Sequence, residues 1–399
     1  MIIKSVKGEK FKDSRGEITI KVFIETDVGK FSATAPNGKS RGKFEAKPYR
    51  KSIEEDIETL KNFSDYFSKE FIETFDDLRR IEDIIKRNIG ANTLIAFEYA
   101  ALRAVAKEQK KEVWEIVKDS IHDPSDKSKA PTIFPRLVGN CVGGGSHSKG
   151  IGGKKPDFQE FLLVPSKDVK ENFELNKKIR LNVAEEIKKV DKKFRGEASD
   201  EMGWLTSLNE KEILDILKKT EVDIGLDIAA SSFFKRKKYH YKNPPLDRTA
   251  DEQLMYLINL IKNYSIFYVE DPFDEQDFES FGKLLLKFPT SLIVGDDLTV
   301  TNYKRLEKAI EKKSINAIII KPNQNGSLVE VKRVVELCKK KNIKMIFSHR
   351  SGETNEDILS DLAFGFQADF IKCGITGPER EAKIKRLVEI EKQMTRSRS

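Results

Sequence analysis

Little in this sequence points toward a membrane or an oxidising compartment. Only three of its 399 residues are cysteine, Cys141, Cys338 and Cys373, and they lie far apart, without CxxC spacing or the even count of a secreted disulfide framework. They are expected to be reduced thiols. No apolar run approaches the roughly 20 residues of a membrane span, and residues 1–8 contain no stretch of signal-peptide length. A cytoplasmic protein that meets no membrane is the expectation. The basic residues show no nucleic-acid module: the net charge is +8 and the pI about 9.0, but lysine and glutamate are interspersed and aromatics do not punctuate the basic stretches. A lysine-rich surface that attracts an anionic small molecule fits better than a nucleic-acid partner.

The chain does carry enough apolar residues, 38% including 25 phenylalanines, to build a sizeable core. Its length fits a barrel of about 250 residues plus a companion unit of about 130. Residues 2–36 read as three strands, the second alternating Ile18, Ile20, Val22 and Ile24, with Asp13-Ser-Arg-Gly16 and Asp27-Val-Gly29 as turns. Helical periodicity over 52–69, 74–87 and 93–106 would cover that sheet in an α+β domain spanning 1–125. A linker at 123–131 separates it from a second domain, 131–395.

That second domain begins with two apolar runs, 134–142 and 158–165, followed by two helical patterns, 169–193 and 209–220. From there short apolar strands at 222–226, 266–269, 292–294, 317–320, 345–347 and 369–371 alternate with amphipathic helices. Six βα units after two strands and two helices predict an α/β fold, an eightfold βα barrel behind an N-terminal α+β capping domain. The tail 396–399 is expected to be disordered.

Each of the six strands ends in, or within two residues of, a polar group: Asp227, Glu270, Asp296, Lys321, His349 and Lys372. Barrel active sites form at the C-terminal ends of strands. A lone Asp or Lys there is usually a helix cap, but six in register point to a site. Three clustered carboxylates repel one another unless a hard cation neutralises them, so Asp227, Glu270 and Asp296 fit the ligand set of Mg²⁺. Lys321 and Lys372 would enter the same cavity, where like-charge repulsion and a cation lower a lysine pKa toward that of a general base. Such a base beside a metal suits removal of a weakly acidic proton next to a carboxylate.

Seven segments, in order, resemble the motifs of the enolase family. They are Asp13-Ser-Arg-Gly16; Gly145-Ser-His147 with Gln159-Glu-Phe161; Gly225-Leu-Asp-Ile-Ala-Ala-Ser231; Val269-Glu-Asp-Pro-Phe273; Gly295-Asp-Asp-Leu-Thr-Val-Thr-Asn302; Ile320-Lys-Pro-Asn-Gln324; and Ser348-His-Arg-Ser-Gly-Glu-Thr354. The resemblance implies a magnesium-dependent lyase that dehydrates 2-phosphoglycerate to phosphoenolpyruvate. It makes Lys321 the base that takes the C2 proton and Glu201 the acid that helps the C3 hydroxyl leave, with Glu160 supporting that acid. Asp227, Glu270 and Asp296 would hold one Mg²⁺, the latter two also bordering the substrate, and Ser40 a second Mg²⁺. Lys372 would bind near the substrate carboxylate, His147 would approach from a mobile loop, and Ser348, His349, Arg350 and Ser351 would contact the phosphate, for which the guanidinium fork of Arg350 is well suited. A homo-oligomer, dimer or octamer, is also implied.

The chain departs from the family pattern at Lys39 and Arg41, at Met202 beside the acid, at Pro322 after the base, and in the extra glycines and lysines of Gly150-Ile-Gly-Gly-Lys-Lys155. The last are read as an electrostatic lid over an anionic substrate. A phosphonopyruvate hydratase is the nearest enzymatic alternative, and a non-catalytic enolase-like binding protein the alternative of another class.

Overall fold

Alternation in the second strand decides how the N-terminal sheet packs. In the computed structural model, which describes residues 1–39, 42–121 and 133–396, Ile20, Val22 and Ile24 are buried on one face of β2. The expected linker 123–131, His122, Ser40, Arg41 and residues 397–399 of the expected disordered tail lie outside the described residues, whereas Arg396 of that tail ends the helix Pro378–Arg396. Strand β2 (Ile18–Thr26) is the centre of an antiparallel sheet between β1 (Ile3–Lys12) and β3 (Gly29–Thr34). Asp13 shapes the β1–β2 turn, its Oδ1 accepting the backbone N–H groups of Arg15 and Glu17 at 2.9 Å each.

The helix Ala91–Gln109, buried along nearly all its length, packs on β2 and β3. Its start is capped from a distance: the buried Asp56 carboxylate accepts Gly90 N–H at 2.8 Å and Thr93 Oγ1–H at 2.6 Å. The helical pattern over 52–69 resolves into an α-helix, Ile53–Phe63, and a 3₁₀ turn, Ser64–Lys69. A further helix, Val113–Ile121, was not anticipated.

Eight strands close into the barrel: β4 (Arg136–Gly143), β5 (Glu160–Val164), β6 (Asp223–Asp227), and, after a small antiparallel sheet of β7 (Phe234–Lys235), β8 (Lys238–Lys242) and β9 (Pro245–Arg248), the strands β10 (Tyr268–Glu270), β11 (Leu292–Gly295), β12 (Ala317–Ile320), β13 (Lys344–Ser348) and β14 (Phe370–Lys372). Inside it Val138, Leu162, Tyr268, Val294, Ile319 and Ile346 pack in layers. Helices cap themselves locally, as in the boxes Asn209/Glu212 and Thr249/Glu252.

One strand is reversed. No helix crosses between β4 and β5, so the chain returns beside itself, and β5 runs antiparallel to both β4 and β6. Its first residue, Glu160, therefore lies at the end of the barrel where the other strands finish, opposite Gly143 and Asp227. Strand reversal delivers an extra carboxylate to the same rim.

The barrel interior should be the mechanical core of the fold. Ile346→Ala, which empties part of a fully buried layer, is expected to cost about 2–5 kcal/mol. Leu286→Ala, at a side chain 85% exposed, should stay within about 0.5 kcal/mol of the parent. Denaturant unfolding measures both, and equal losses would contradict this division.

Candidate active site

The centre of the site is a buried ammonium group. Lys372, the last residue of β14, places its Nζ 2.8 Å from Asp227 Oδ2, 2.8 Å from Glu270 Oε2 and 3.0 Å from Glu160 Oε2. All four side chains are at most 5% exposed. Burial disfavours the lysine charge, but the surrounding carboxylates outweigh it and hold the group protonated well above the ordinary lysine value. Glu270 shows the reverse: burial first, then the Asp227 charge, push its carboxyl up to about 8 despite Lys372.

Beside this group, Lys321 pairs through Nζ with Asp296 Oδ2, whose other oxygen accepts Gln324 Nε2–H at 2.9 Å. The neutral lysine anticipated from like-charge repulsion is not what the geometry gives here. Burial does oppose the charge on Lys321, and Arg350 and Lys372 act in the same direction, but direct contact with Asp296 raises the pKa above that of a free lysine. A carboxylate in contact outweighs like charges farther away.

The donor set fits a hard divalent cation. Asp227, Glu270 and Asp296 come from successive strands, β6 and β10 ending in register, and Glu270 Oε1 is buried without a hydrogen-bond partner among the described residues. A second acidic cluster brings single oxygens of Asp271, Asp296 and Asp297 within 4.8 Å of one another. Asp271, however, is committed elsewhere: its two oxygens accept the N–H groups of Asp296 (3.0 Å) and Asp297 (2.7 Å). It braces the β11 turn, which aims Asp296.

Glu201 reaches the same cleft of about 630 Å³ from a loop, together with Glu160, Asp296, Lys321, Arg350 and Lys372. Its neighbour Met202 has φ 65°, a left-handed conformation costing about 1–2 kcal/mol for a non-glycine residue. The Arg180 guanidinium clamps that turn through the Met202 carbonyl, at 3.1 and 2.8 Å. Pro322 is accommodated without cost, since it opens the short helix Pro322–Asn325, where no N–H is needed.

The segment 348–351 forms the opposite wall. Arg350 donates to Glu45 Oε2 at 2.9 Å and Asn323 Oδ1 at 3.0 Å. Asn323 in turn donates to Asn92 Oδ1 (3.0 Å), and Asn92 to Asn37 Oδ1 (3.0 Å), so a chain of amides links the barrel to the N-terminal unit. Gly38 lies so close to Arg350 that a Cβ there would come within 1.9 Å of Nη2, so a side chain at this position would have to displace the guanidinium. Ser351 Oγ accepts from Lys39 N (2.7 Å) and Arg15 Nη1 (3.1 Å), while Ser348 Oγ donates to the His349 carbonyl.

Of the residues singled out in the sequence, Glu160, Glu201, Asp227, Glu270, Asp296, Lys321, Ser348, His349, Arg350, Ser351 and Lys372 converge here. Ser40 lies outside the described residues. His147 ends a short 3₁₀ turn, Gly145–His147, whose Ser146 lines the cleft. In the loop that follows, Lys155 turns inward and donates to the carbonyls of Gly145 and Ser148. Burial lowers its pKa, and it clasps its own loop where an electrostatic lid was expected. Glu45 and Arg380 had no signal in the sequence: each is a lone polar residue whose partners are distant in the chain, while Gln324 closes the motif 320–324 without a role assigned to it there.

The base of that loop rests on Glu210, whose carboxylate accepts the Asp157 N–H. Burial raises its pKa to about 7. Between roughly pH 4.5 and 7 the folded protein thus retains a proton that the unfolded chain releases, and this group's contribution to stability falls as pH rises. Glu210→Gln removes the effect. Relative to the parent, the variant should gain on the order of 1–3 kcal/mol between pH 4.5 and pH 8 in denaturant titrations. A difference independent of pH would show that Glu210 is not held as the acid.

Comparison with known proteins points one way. Residues 3–117 match the family model described as "Enolase, N-terminal domain", and residues 131–398 match "Enolase, C-terminal TIM barrel domain". The enolase of Methanosphaera stadtmanae is 34% identical over 98% of this chain and 97% of its own length. That of Pyrobaculum aerophilum is 34% identical over 94% and 91%, and that of Methanothermobacter thermautotrophicus 34% over 100% and 98%.

Proposed function

The chain belongs to the enolase family, and from that premise we propose that it removes water from 2-phosphoglycerate to give phosphoenolpyruvate. The observation that carries this reading is the meeting of Lys321, Glu201 and the carboxylates Asp227, Glu270 and Asp296 in one cleft. Family membership implies a divalent metal; we assign it as Mg²⁺ to Asp227, Glu270 and Asp296, and a second Mg²⁺, on the resemblance, to Ser40. When bound, the metal neutralises the charge that accumulates on the substrate carboxylate as C2 loses its proton.

Lys321 is the group that takes that proton. Were Asp296 to hold the metal, its pairing with the Lys321 ammonium would weaken, leaving burial, Arg350 and Lys372 to favour the amine. Lys372 stays charged and orients the substrate carboxylate. Glu201 gives its proton to the departing C3 hydroxyl, and Glu160, on the reversed strand, supports it. Ser348, His349, Arg350 and Ser351 hold the phosphate, with His147 closing from its loop. The Arg350 fork must exchange Glu45 and Asn323 for phosphate oxygens to do so. The division between residues 1–125 and 131–395, a cytoplasmic setting and homo-oligomeric assembly belong to the same proposal. Among the described residues no helix is long and apolar enough to cross a membrane.

Purified protein given 2-phosphoglycerate should form phosphoenolpyruvate, seen as rising ultraviolet absorbance, only with Mg²⁺. Turnover of phosphonopyruvate in preference to 2-phosphoglycerate would contradict the assignment in favour of the hydratase, and no turnover of either would favour a binding protein.

The two catalytic groups should fail at different steps. Glu201→Gln is expected to retain exchange of the C2 proton with deuterated solvent while losing dehydration, whereas Lys321→Ala should lose both. Equal exchange in the two variants would remove the division of roles. Asp296→Asn should fold but bind Mg²⁺ poorly in calorimetric titration; unchanged binding would move the metal elsewhere.

A further inference from the structure

Arg380 is a buried cation with an unusual set of partners. It stands in the first turn of the helix Pro378–Arg396, is 2% exposed and is among the largest fully buried side chains. Its guanidinium meets no carboxylate among the described residues. Nη1 donates to the Arg350 carbonyl at 2.6 Å, and Nη2 donates to the carbonyls of Ser351 at 2.7 Å and Asp200 at 3.3 Å. The remaining contact runs from Nη1 to His349 Nδ1, at 2.8 Å.

A guanidinium can only donate, so His349 Nδ1 must accept, and the ring hydrogen must then sit on Nε2. Nε2 faces the Glu201 carboxylate, 3.8 Å from Oε2. The same side chain thus ties the backbone of 350–351, in the proposed phosphate wall, to that of Asp200, beside the proposed acid. We propose that Arg380 is a positioning residue that fixes His349 in the neutral tautomer with hydrogen on Nε2, presented to Glu201, and holds the acid loop in register with the phosphate wall. The consequence for turnover rests on the roles given above to Glu201 and His349; the tautomer does not.

The charges around His349 show what Arg380 alone contributes. Burial first, then Arg380, Lys372, Lys383 and Lys321, all oppose its protonation, and its pKa lies well below that of a free histidine; Glu201 is the carboxylate facing it. Removing Arg380 leaves three cations and the burial in place. The ring should therefore stay mostly neutral, but it loses the donor that selects its tautomer. Tautomer, more than charge, is what Arg380 controls.

The test is long-range ¹H–¹⁵N spectroscopy of the Mg²⁺-loaded full chain labelled at its four histidines, with His349→Gln to assign the signal. His349 should show an unprotonated Nδ1 and a protonated Nε2, unchanged from pH 6 to 8.5. Arg380→Met should give a tautomeric mixture, and Arg380→Lys, which restores a donor, should recover the parent pattern at least partly. In the absorbance assay, Arg380→Met should lower kcat roughly 10–100-fold, the range typical of groups that orient functional residues, and Arg380→Lys less. A protonated Nδ1 in the parent, readable even where a variant does not fold, overturns the inference, as does an unchanged tautomer in Arg380→Met. Because the spectrum needs no substrate turnover, it stands or falls apart from the dehydratase assignment.

Discussion

Everything in the site depends on one problem of charge: three barrel strands end, and the reversed β5 begins, by pushing Asp227, Glu270, Lys372 and Glu160 into contact beyond the reach of bulk water. Three carboxylates at that separation are incompatible with burial unless cations stand between them, and Lys372 supplies one. Its single charge does not balance the set: burial first, then the Asp227 charge, drives Glu270 toward its neutral form, and Glu270 Oε1 has no donor among the described residues. A site so arranged is poised for a divalent cation, and the barrel's packed interior resists the collapse that would otherwise relieve the repulsion.

The same constraint explains Lys321. With Asp296 in contact its ammonium is stabilised, so the property that would make it a base is suppressed until that carboxylate has another partner. In the proposed reaction, metal binding at Asp296 and activation of Lys321 would be two aspects of one exchange of partners. The Arg350 fork is in a parallel position, held by Glu45 and Asn323 where a phosphate would otherwise engage it.

How far this was legible in the sequence follows from range. The βα rhythm exposed the barrel and put Asp227, Glu270, Asp296, Lys321 and Lys372 at strand ends, because short apolar runs and their termination are local signals. Glu160 could be placed only by its motif, since it opens its strand and the reversal of β5 is a property of topology. The small sheet β7–β9 and the helix Val113–Ile121 escaped because they are short, strands of 2, 5 and 4 residues and a helix of 9. Met202 marked a departure in the sequence, but only the backbone shows that it occupies a left-handed turn clamped by Arg180. The sequence suggests Lys154 and Lys155 as charges in a lid over the substrate, whereas the Lys155 ammonium satisfies two carbonyls of its own loop. Arg380 gave no signal, because what distinguishes it is a set of partners 29 to 180 residues away.

The central claim is that charge balance, not mere proximity, assigns the metal to Asp227, Glu270 and Asp296. Anomalous diffraction from crystals grown with Mn²⁺ in place of Mg²⁺ tests this directly, because the ion is located by its own scattering. The account predicts a peak within bonding distance of one oxygen from each of these three side chains, with Lys321 separated from Asp296. A peak held by Asp271 and Asp297, or none while the protein turns over substrate, would contradict it.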